Sequence, residues 1–517
     1  MNNPSGYNIL VSVTAAFGSL TYGYAAAILG NTLEKAAFYE YMNLELEGPG
    51  AANTTSIIAW WNTILYVGGF FACVSYTAFG NRYGRKSGIA LGATVSVIGA
   101  VLQAGSINPA MMIVARLIVG AGMGVLLPAV PLYQAETAPP SNRGLLVGIH
   151  ASLIGYGSMI SGWIGVGFFH TGGNVGWRVP LALQTIFPLV LLIVVWFLPE
   201  SPRWLYMHDR AEEAKKVLIA LHKKASDPNH LFAQKELFVI KNQIDYENQN
   251  HLPMWQALKK RSLQKRFLIG FLSMSCTQCS GLLVVLTYQS TIYQSLGYSA
   301  FMAGIFGSIW SVLNGTGNFC GGMLGDYVGR KKLVAVSLVI LDCMLIVLCT
   351  TTYLYSGTDN KAGNTAAAVF TFLMIIVYAT GVECASLVYS SELYPGEYRA
   401  IGVSVSLSPV LFWGCIFTGA AGPAFANIGA LYYVVFIALT SVMALVVIFF
   451  FPDTKGFTLE QMSAVFGDDV VDMYGNIENA KDFINGDHNI EHADLDKNTP
   501  PQRVHIEVEG ENSTETV

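Results

Sequence analysis

Residues 131–143 read Pro131-Leu132-Tyr133-Gln134-Ala135-Glu136-Thr137-Ala138-Pro139-Pro140-Ser141-Asn142-Arg143. The pattern Tyr-x-x-Glu, followed seven residues later by Arg, returns at Tyr389, Glu392 and Arg399. A second echo precedes each copy, because Gly84-Arg85-Lys86 matches Gly329-Arg330-Lys331. Repetition of this kind predicts two structurally equivalent halves. Around these short charged turns the chain is apolar. Of its 517 residues, 53% are hydrophobic and 12% are charged, about half the charge of an ordinary soluble protein.

A bilayer core about 30 Å thick needs about 20 apolar residues per spanning helix. Twelve such stretches lie near 7–30, 56–79, 88–106, 109–131, 145–169 and 178–198, then 266–293, 301–324, 332–355, 365–389, 401–424 and 429–451. The predicted fold class is an all-α membrane protein with twelve transmembrane helices in two pseudo-symmetric six-helix bundles. The bundles are expected over 1–198 and 266–451. A cytoplasmic helical linker is expected over 199–265, its first helical run starting at Glu212, Glu213, Lys215 and Lys216. An acidic tail closes the chain over 452–517. No basic run precedes a short apolar one at the start, so the first span is expected to be retained.

The net charge of −5 is unevenly distributed. Residues 452–517 hold 15 of the 34 acidic side chains and 4 of the 29 basic ones, which leaves the body positive. Low hydrophobicity with high net charge predicts disorder in the tail. Basic side chains fall in alternate loops: Arg82, Arg85 and Lys86; Arg143; Arg330, Lys331 and Lys332; Arg399. These loops should face the cytoplasm, with both termini on that side. This charge pattern excludes a nucleic-acid binder. No Walker motif and no Ser/His/Asp grouping points to an ATP-driven pump or an enzyme. All eight cysteines fall inside spans. Cys276-x-x-Cys279 lacks the second pair that a zinc site needs, so it reads as helix packing; no metal or cofactor is expected.

Asn81-Arg82-Tyr83-Gly84-Arg85-Lys86, Arg116-x3-Gly120-x-Gly122-x-Gly124, Glu136 to Arg143, Pro199-Glu200-Ser201-Pro202-Arg203-Trp204, Asp326 to Arg330, Glu392 to Arg399 and Pro452-Asp453-Thr454-Lys455-Gly456 follow one another along the chain. In combination they resemble the sugar porter family of the major facilitator superfamily, in its fungal branch, over roughly residues 10–465. The resemblance implies a multi-pass plasma-membrane carrier, monomeric and surrounded by lipid. It would move a sugar-like solute, by facilitated diffusion or with protons, as two bundles rock about one central site. Export of a small secondary metabolite is the alternative, and a non-transporting nutrient receptor a further one. It also implies a cytoplasmic gate of Arg85, Glu136, Arg143, Glu200, Arg203, Asp326, Arg330, Glu392 and Arg399, whose ion pairs hold the inner side shut and break for inward opening. As exposed pairs these would each contribute about 0–1 kcal/mol. Asn81 stands where the family usually has Asp.

The family's sugar contacts are only partly kept. Gln278 and Asn314 remain, while Ala151, Thr277, Leu283, Leu387 and Val410 occupy other contact positions. The family's aromatic covers are replaced, so the expected site is more apolar than a glucose site. Tyr288, Gln289, His150, Tyr156, Asn62, Gln184 and Asn318 are substitute candidates. The acid that pairs with the fourth-span Arg in proton-coupled members falls on Ala25, although Arg116 is present. Glu383 lies inside the tenth span, where the family has a small residue. A charge there is functional by default, which makes Glu383 and Arg116 the coupling candidates. Asn53-Thr54-Thr55, in the outer loop, is the candidate N-glycosylation site; Asn314 and Asn512 head sequons in a span and in the tail.

Overall fold

The computed structural model describes residues 5–138, 143–223, 229–249, 256, 259–358, 360–394, 398–453 and 466. The acidic tail lies outside the described residues apart from Pro452, Asp453 and Phe466. Arg143 and Asp326 are placed in helices, but their side chains are also outside them.

The first bundle contains α1 (Gly6–Ala15), α2 (Phe17–Leu33), the short outer α3 (Ala36–Tyr41), α4 (Ala51–Tyr83), α5 (Arg85–Ala104), α6 (Pro109–Thr137), α7 (Arg143–Gly167), α8 (Val175–Leu183) and α9 (Ile186–Val194). The linker follows as α10 (Pro202–Met207), α11 (Ala211–His222) and α12 (Leu231–Gln249). The second bundle contains α13 (Arg261–Cys279), α14 (Leu282–Ser295), α15 (Ala300–Val328), α16 (Arg330–Tyr355), α17 (Lys361–Tyr378), α18 (Cys384–Glu392), α19 (Arg399–Ile428) and α20 (Tyr432–Phe450). Each of the twelve apolar stretches is helical over most of its length. Among the described residues, nine helical runs are long and apolar enough to cross a membrane, and the last, Arg399–Phe450, holds two of the expected spans. Phe197, Trp196 and Phe449 are among many large apolar side chains left exposed, as expected of a lipid-facing surface.

Local chemistry explains where the elements begin and end. Asn108 caps α6, its side chain accepting from the Met111 amide at 2.8 Å, with Pro109 in the first turn. Gly84 and Gly329 have φ of 95° and 102°. Both sit between one long helix and the next, so the duplicated Gly-Arg-Lys turns share one backbone geometry that favours glycine. The linker's first helix starts earlier than expected. Pro202 and the Ser201 side chain, which accepts from the Trp204 amide at 3.3 Å, nucleate α10 ahead of the charged run. Trp204 Nε1 then donates to Asn81 O at 2.9 Å, fastening α10 beneath the first bundle.

Across the molecular centre, α7 packs along α15 and α4 along α19. Small residues permit the close approach. A Cβ at Gly155 would meet Asn314 and the Gly315 backbone; one at Gly162 would meet Ser308; one at Gly414 would meet Tyr66. Helices α7 and α15 each face the opposite bundle, where Ser152 and Ser158 of α7 and Ser308, Ser311, Asn314 and Asn318 of α15 are buried polar side chains. Asn53 lies exposed in the first turn of α4, not in a loop.

Candidate functional site

The charges at the repeated turns form two equivalent clusters. In the first half, Glu136 at the end of α6 receives a bidentate pair from Arg85, Nε and Nη2 each at 2.9 Å. Ser201 Oγ donates to the same carboxylate at 2.5 Å. In the second half, Arg330 Nη2 donates to Glu392 Oε1 at 3.0 Å. Each Glu therefore pairs with the Arg of the Gly-Arg-Lys turn. The expectation of solvent-exposed pairs is corrected for the first: Arg85 and Glu136 side chains are 4% and 2% exposed, because α10 covers them. Arg203 is buried beside Glu136, and Arg399 opens α19 in a buried position.

Glu200 plays a different part from an ion-pair partner. Its Oε1 accepts the backbone amides of Arg85 at 3.1 Å, Lys86 at 3.2 Å and Ser201 at 2.9 Å. An anion at the start of α5 meets unsatisfied N–H groups and the positive end of the helix. Burial still holds its carboxyl above the ordinary carboxylate range.

Between the bundles lies a cavity with about 870 Å³ of empty space, part of it open to solvent. Its backbone setting comes from breaks in three spans. The first breaks at Ala16, between α1 and α2. The seventh breaks at Ser280 and Gly281, where φ is 76° and a Cβ would run into Phe436; this leaves Gln278 at the end of α13. The tenth opens into a π-helical turn over Ala379–Glu383, and such turns recur at functional sites. Glu383 is its last residue and faces the cavity.

Of the expected contacts, Gln278, Asn314, His150 and Glu383 are brought together in the lining. Asn314 Nδ2 and Asn318 Nδ2 donate to Glu383 Oε2 at 2.9 and 2.8 Å. His150 Nδ1 lies 2.7 Å from Ser19 Oγ, while its Nε2 has no hydrogen-bond partner. Gln278 Nε2 reaches Thr277 Oγ1 at 3.2 Å, and its Oε1 has no partner. Ala151, Thr277, Leu283, Leu387 and Val410 all line the space, as the substituted contact positions require.

Six expected contacts, Tyr288, Tyr156, Gln289, Asn62, Gln184 and Asn318, are not among the lining residues. Tyr288 spends its hydroxyl on Thr418 O at 3.2 Å. Tyr156 OH meets Thr316 Oγ1 at 3.2 Å across the seam between bundles. Gln289 lines a smaller, outer pocket beside Asn31 and Glu34. Aromatic surface reaches the cavity from other positions instead, through Tyr22, Tyr66, Trp310 and Tyr378. Asn318 stands one helical turn after Asn314, a spacing that marks a shared face. The aromatic positions carried no such signal.

Arg116 is buried, with Nε donating to Trp61 O at 2.7 Å and Nη1 without a partner. It is not part of the described lining. Cys276 and Cys279 are buried, and Cys276 donates to Leu272 O at 3.2 Å.

Glu34, just beyond the outer end of α2, is a titratable group that sequence reasoning missed. Burial pushes its carboxyl from 4.5 up to about 7, opposed by a hydrogen bond from Ser290 of the other bundle and by the charge of Lys35. The folded protein therefore binds more protons than the unfolded chain between about pH 4.5 and 7. Its stability contribution is full below 4.5 and is lost as pH rises through 7. A thermal-unfolding series should show falling melting temperature across that window, and Glu34→Gln should flatten the fall. An identical slope in the variant would assign the effect to other groups.

Residues 11–466 match the family profile described as "Sugar (and other) transporter". Among curated relatives, the MFS-type transporter criB of Aspergillus cristatus is 28% identical, covering 90% of this chain and 94% of that one. A probable quinate permease of Aspergillus clavatus is 28% identical over 88% and 87%. The sugar transporter STL1 of Saccharomyces cerevisiae is 29% identical over 88% and 80%. Among solved structures, the proton:xylose symporter XylE bound to 6-bromo-6-deoxy-D-glucose superposes with a TM-score of 0.78. It has 22% identity and covers 90% of this chain and 100% of that one.

Proposed function

The chain belongs to the sugar (and other) transporter family, and from that premise we propose that it is a secondary transporter carrying a small hydroxylated solute by alternating access. The observation that carries the reading is the cavity between the two bundles, where Gln278 and Asn314 converge with Glu383 and His150. Side-chain amides can donate and accept at once, which suits a hydroxyl. The cytoplasmic clusters supply the inner gate, since they tie helix ends that must separate for inward opening. The bundles are 1–198 and 266–451. The linker over 199–265 braces the first of them through α10, and no residue of the tail over 452–517 is assigned a part in transport. Both termini face the cytoplasm of a plasma-membrane protein that acts as a monomer, with Asn53 on the outer side as a glycan acceptor.

The test is a solute panel in a transporter-null host, run with and without a proton uncoupler, alongside proteoliposomes. Uptake of a polyol or sugar supports import. Flux of apolar metabolites alone supports the second reading, an exporter, which the aliphatic lining at Leu283, Leu387 and Val410 favours. No flux of any solute in either system overturns transport and leaves a receptor.

The coupling acid in this reading is Glu383. Ala25 cannot take up a proton, whereas Glu383 combines a carboxyl with access to the cavity. Glu383→Gln should abolish proton-driven accumulation while retaining downhill exchange. Accumulation that persists in the variant would exclude the assignment and leave a facilitator.

A further inference from the structure

The central cavity is electrically one-sided. Among its described lining residues there is one carboxyl, Glu383, and no Lys or Arg. The nearby guanidinium of Arg116 lies behind the wall, with Nε spent on Trp61 O. An anionic solute entering this space would lose its hydration and gain no cation in return. Leaving a buried charge without a partner is among the costliest arrangements in a protein. Glu383 adds direct repulsion whenever it is ionised. Asn314 and Asn318, both donating to Oε2, fix the carboxyl in place so that it cannot swing away.

The rest of the wall is mainly hydrocarbon and aromatic ring. Leu283, Leu286, Leu407 and Val410 supply aliphatic surface, and Trp310 an aromatic one. Among the lining atoms, Gln278 Oε1 accepts, Trp310 Nε1 donates and His150 Nε2 can do either, and none of the three has a hydrogen-bond partner. Groups of such mixed kind suit hydroxyl or amino groups at one end of a ligand, set against hydrocarbon and ring over the rest.

We propose that Glu383, clamped by Asn314 and Asn318, is a specificity-determining residue that bars anionic solutes. The carried molecule is then an amphipathic, hydroxylated or aminated compound without a carboxylate or phosphate. This rests on the reading of the central cavity as the solute site.

Three molecules of nearly equal size separate charge from shape: tyrosol (neutral), tyramine (cationic) and 4-hydroxyphenylacetate (anionic). Binding to the purified full chain in nanodiscs is measured by calorimetry at pH 7.5. Tyrosol and tyramine should bind at least about tenfold more tightly than the anion. In Glu383→Gln the gap between the anion and tyrosol should narrow at least about threefold without closing, because the lining still offers no cation, and tyramine should lose any advantage. Should that variant fail to fold, the order of affinities in the native protein decides alone. Equal or tighter binding of the anion to the native protein overturns the proposal. So does binding of glucose with none of the three probes, although that result would leave transport intact. The expected order without any flux in proteoliposomes would instead refute transport and keep the charge filter.

Discussion

Replacing Glu136 by Ala should be the most damaging single change in the two charge clusters. The Arg85 guanidinium would lose both of its 2.9 Å bonds to the carboxylate while α10 still kept it out of water. Breaking a buried pair by removing one partner costs about 3–5 kcal/mol, far above an exposed pair, because the remaining charge is uncompensated. Ser201 Oγ would lose its acceptor as well, loosening the first turn of α10. If the pair is present only while the inner side is closed, the loss falls on that state alone, and the protein should shift toward inward-open. Double electron–electron resonance between spin labels on the inner ends of the two bundles would report the shift. Unchanged distances, together with unchanged uptake, would mean that the pair is only a structural brace. The corresponding change at Glu392 should be milder. Its pair with Arg330 is more exposed, at 12% and 20% for the two side chains, so water can replace part of what is lost.

Gly155→Val should abolish transport by a different route. The added side chain would collide with Asn314 and with the backbone of Gly315, where α7 and α15 meet. Overpacking typically costs about 1–3 kcal/mol, and here the strain falls on the seam about which the bundles move. It would also push Asn314 off Glu383, undoing the clamp in the cavity. Each bundle retains its own core, so the expected phenotype is a monodisperse, folded protein with at least a hundredfold less flux. Near-normal flux would show that the seam opens wider during the cycle than its close packing implies.

The membrane class, the two halves and the duplicated charged turns were legible in the sequence for one reason. A spanning helix must be apolar along its length, and topology is set by Lys and Arg in short loops, both of which are linear features. Gly84 and Gly329 were equally legible, since a turn with φ near 100° is written in the residue itself. The family contacts Gln278 and Asn314 could be placed because their neighbours along the chain fix their register. What surrounds them could not. Tyr22, Tyr66, Trp310 and Tyr378 come from four different spans, and an aromatic residue in a span reads the same whether it faces lipid, core or cavity. Tyr288, Tyr156 and Gln289 illustrate the reverse error, since nothing local told a cavity-facing group from one spent on a neighbouring helix.

The low charge fraction marked Glu383 as unusual, because a carboxyl inside a span is expensive wherever it points. Only the tertiary structure decided its setting. A π-helical turn displaces it toward the cavity, and two amides from α15 hold it there. The turn depends on how α17 and α18 pack against α15 and α16, which is a property of the assembled bundle. Burial of the Arg85 and Glu136 pair was likewise decided by the docking of α10. The sequence by itself determined which residues carry charge and which helix ends they flank. The fold alone determined which of those charges water can reach, because exclusion of water depends on neighbours that are distant along the chain.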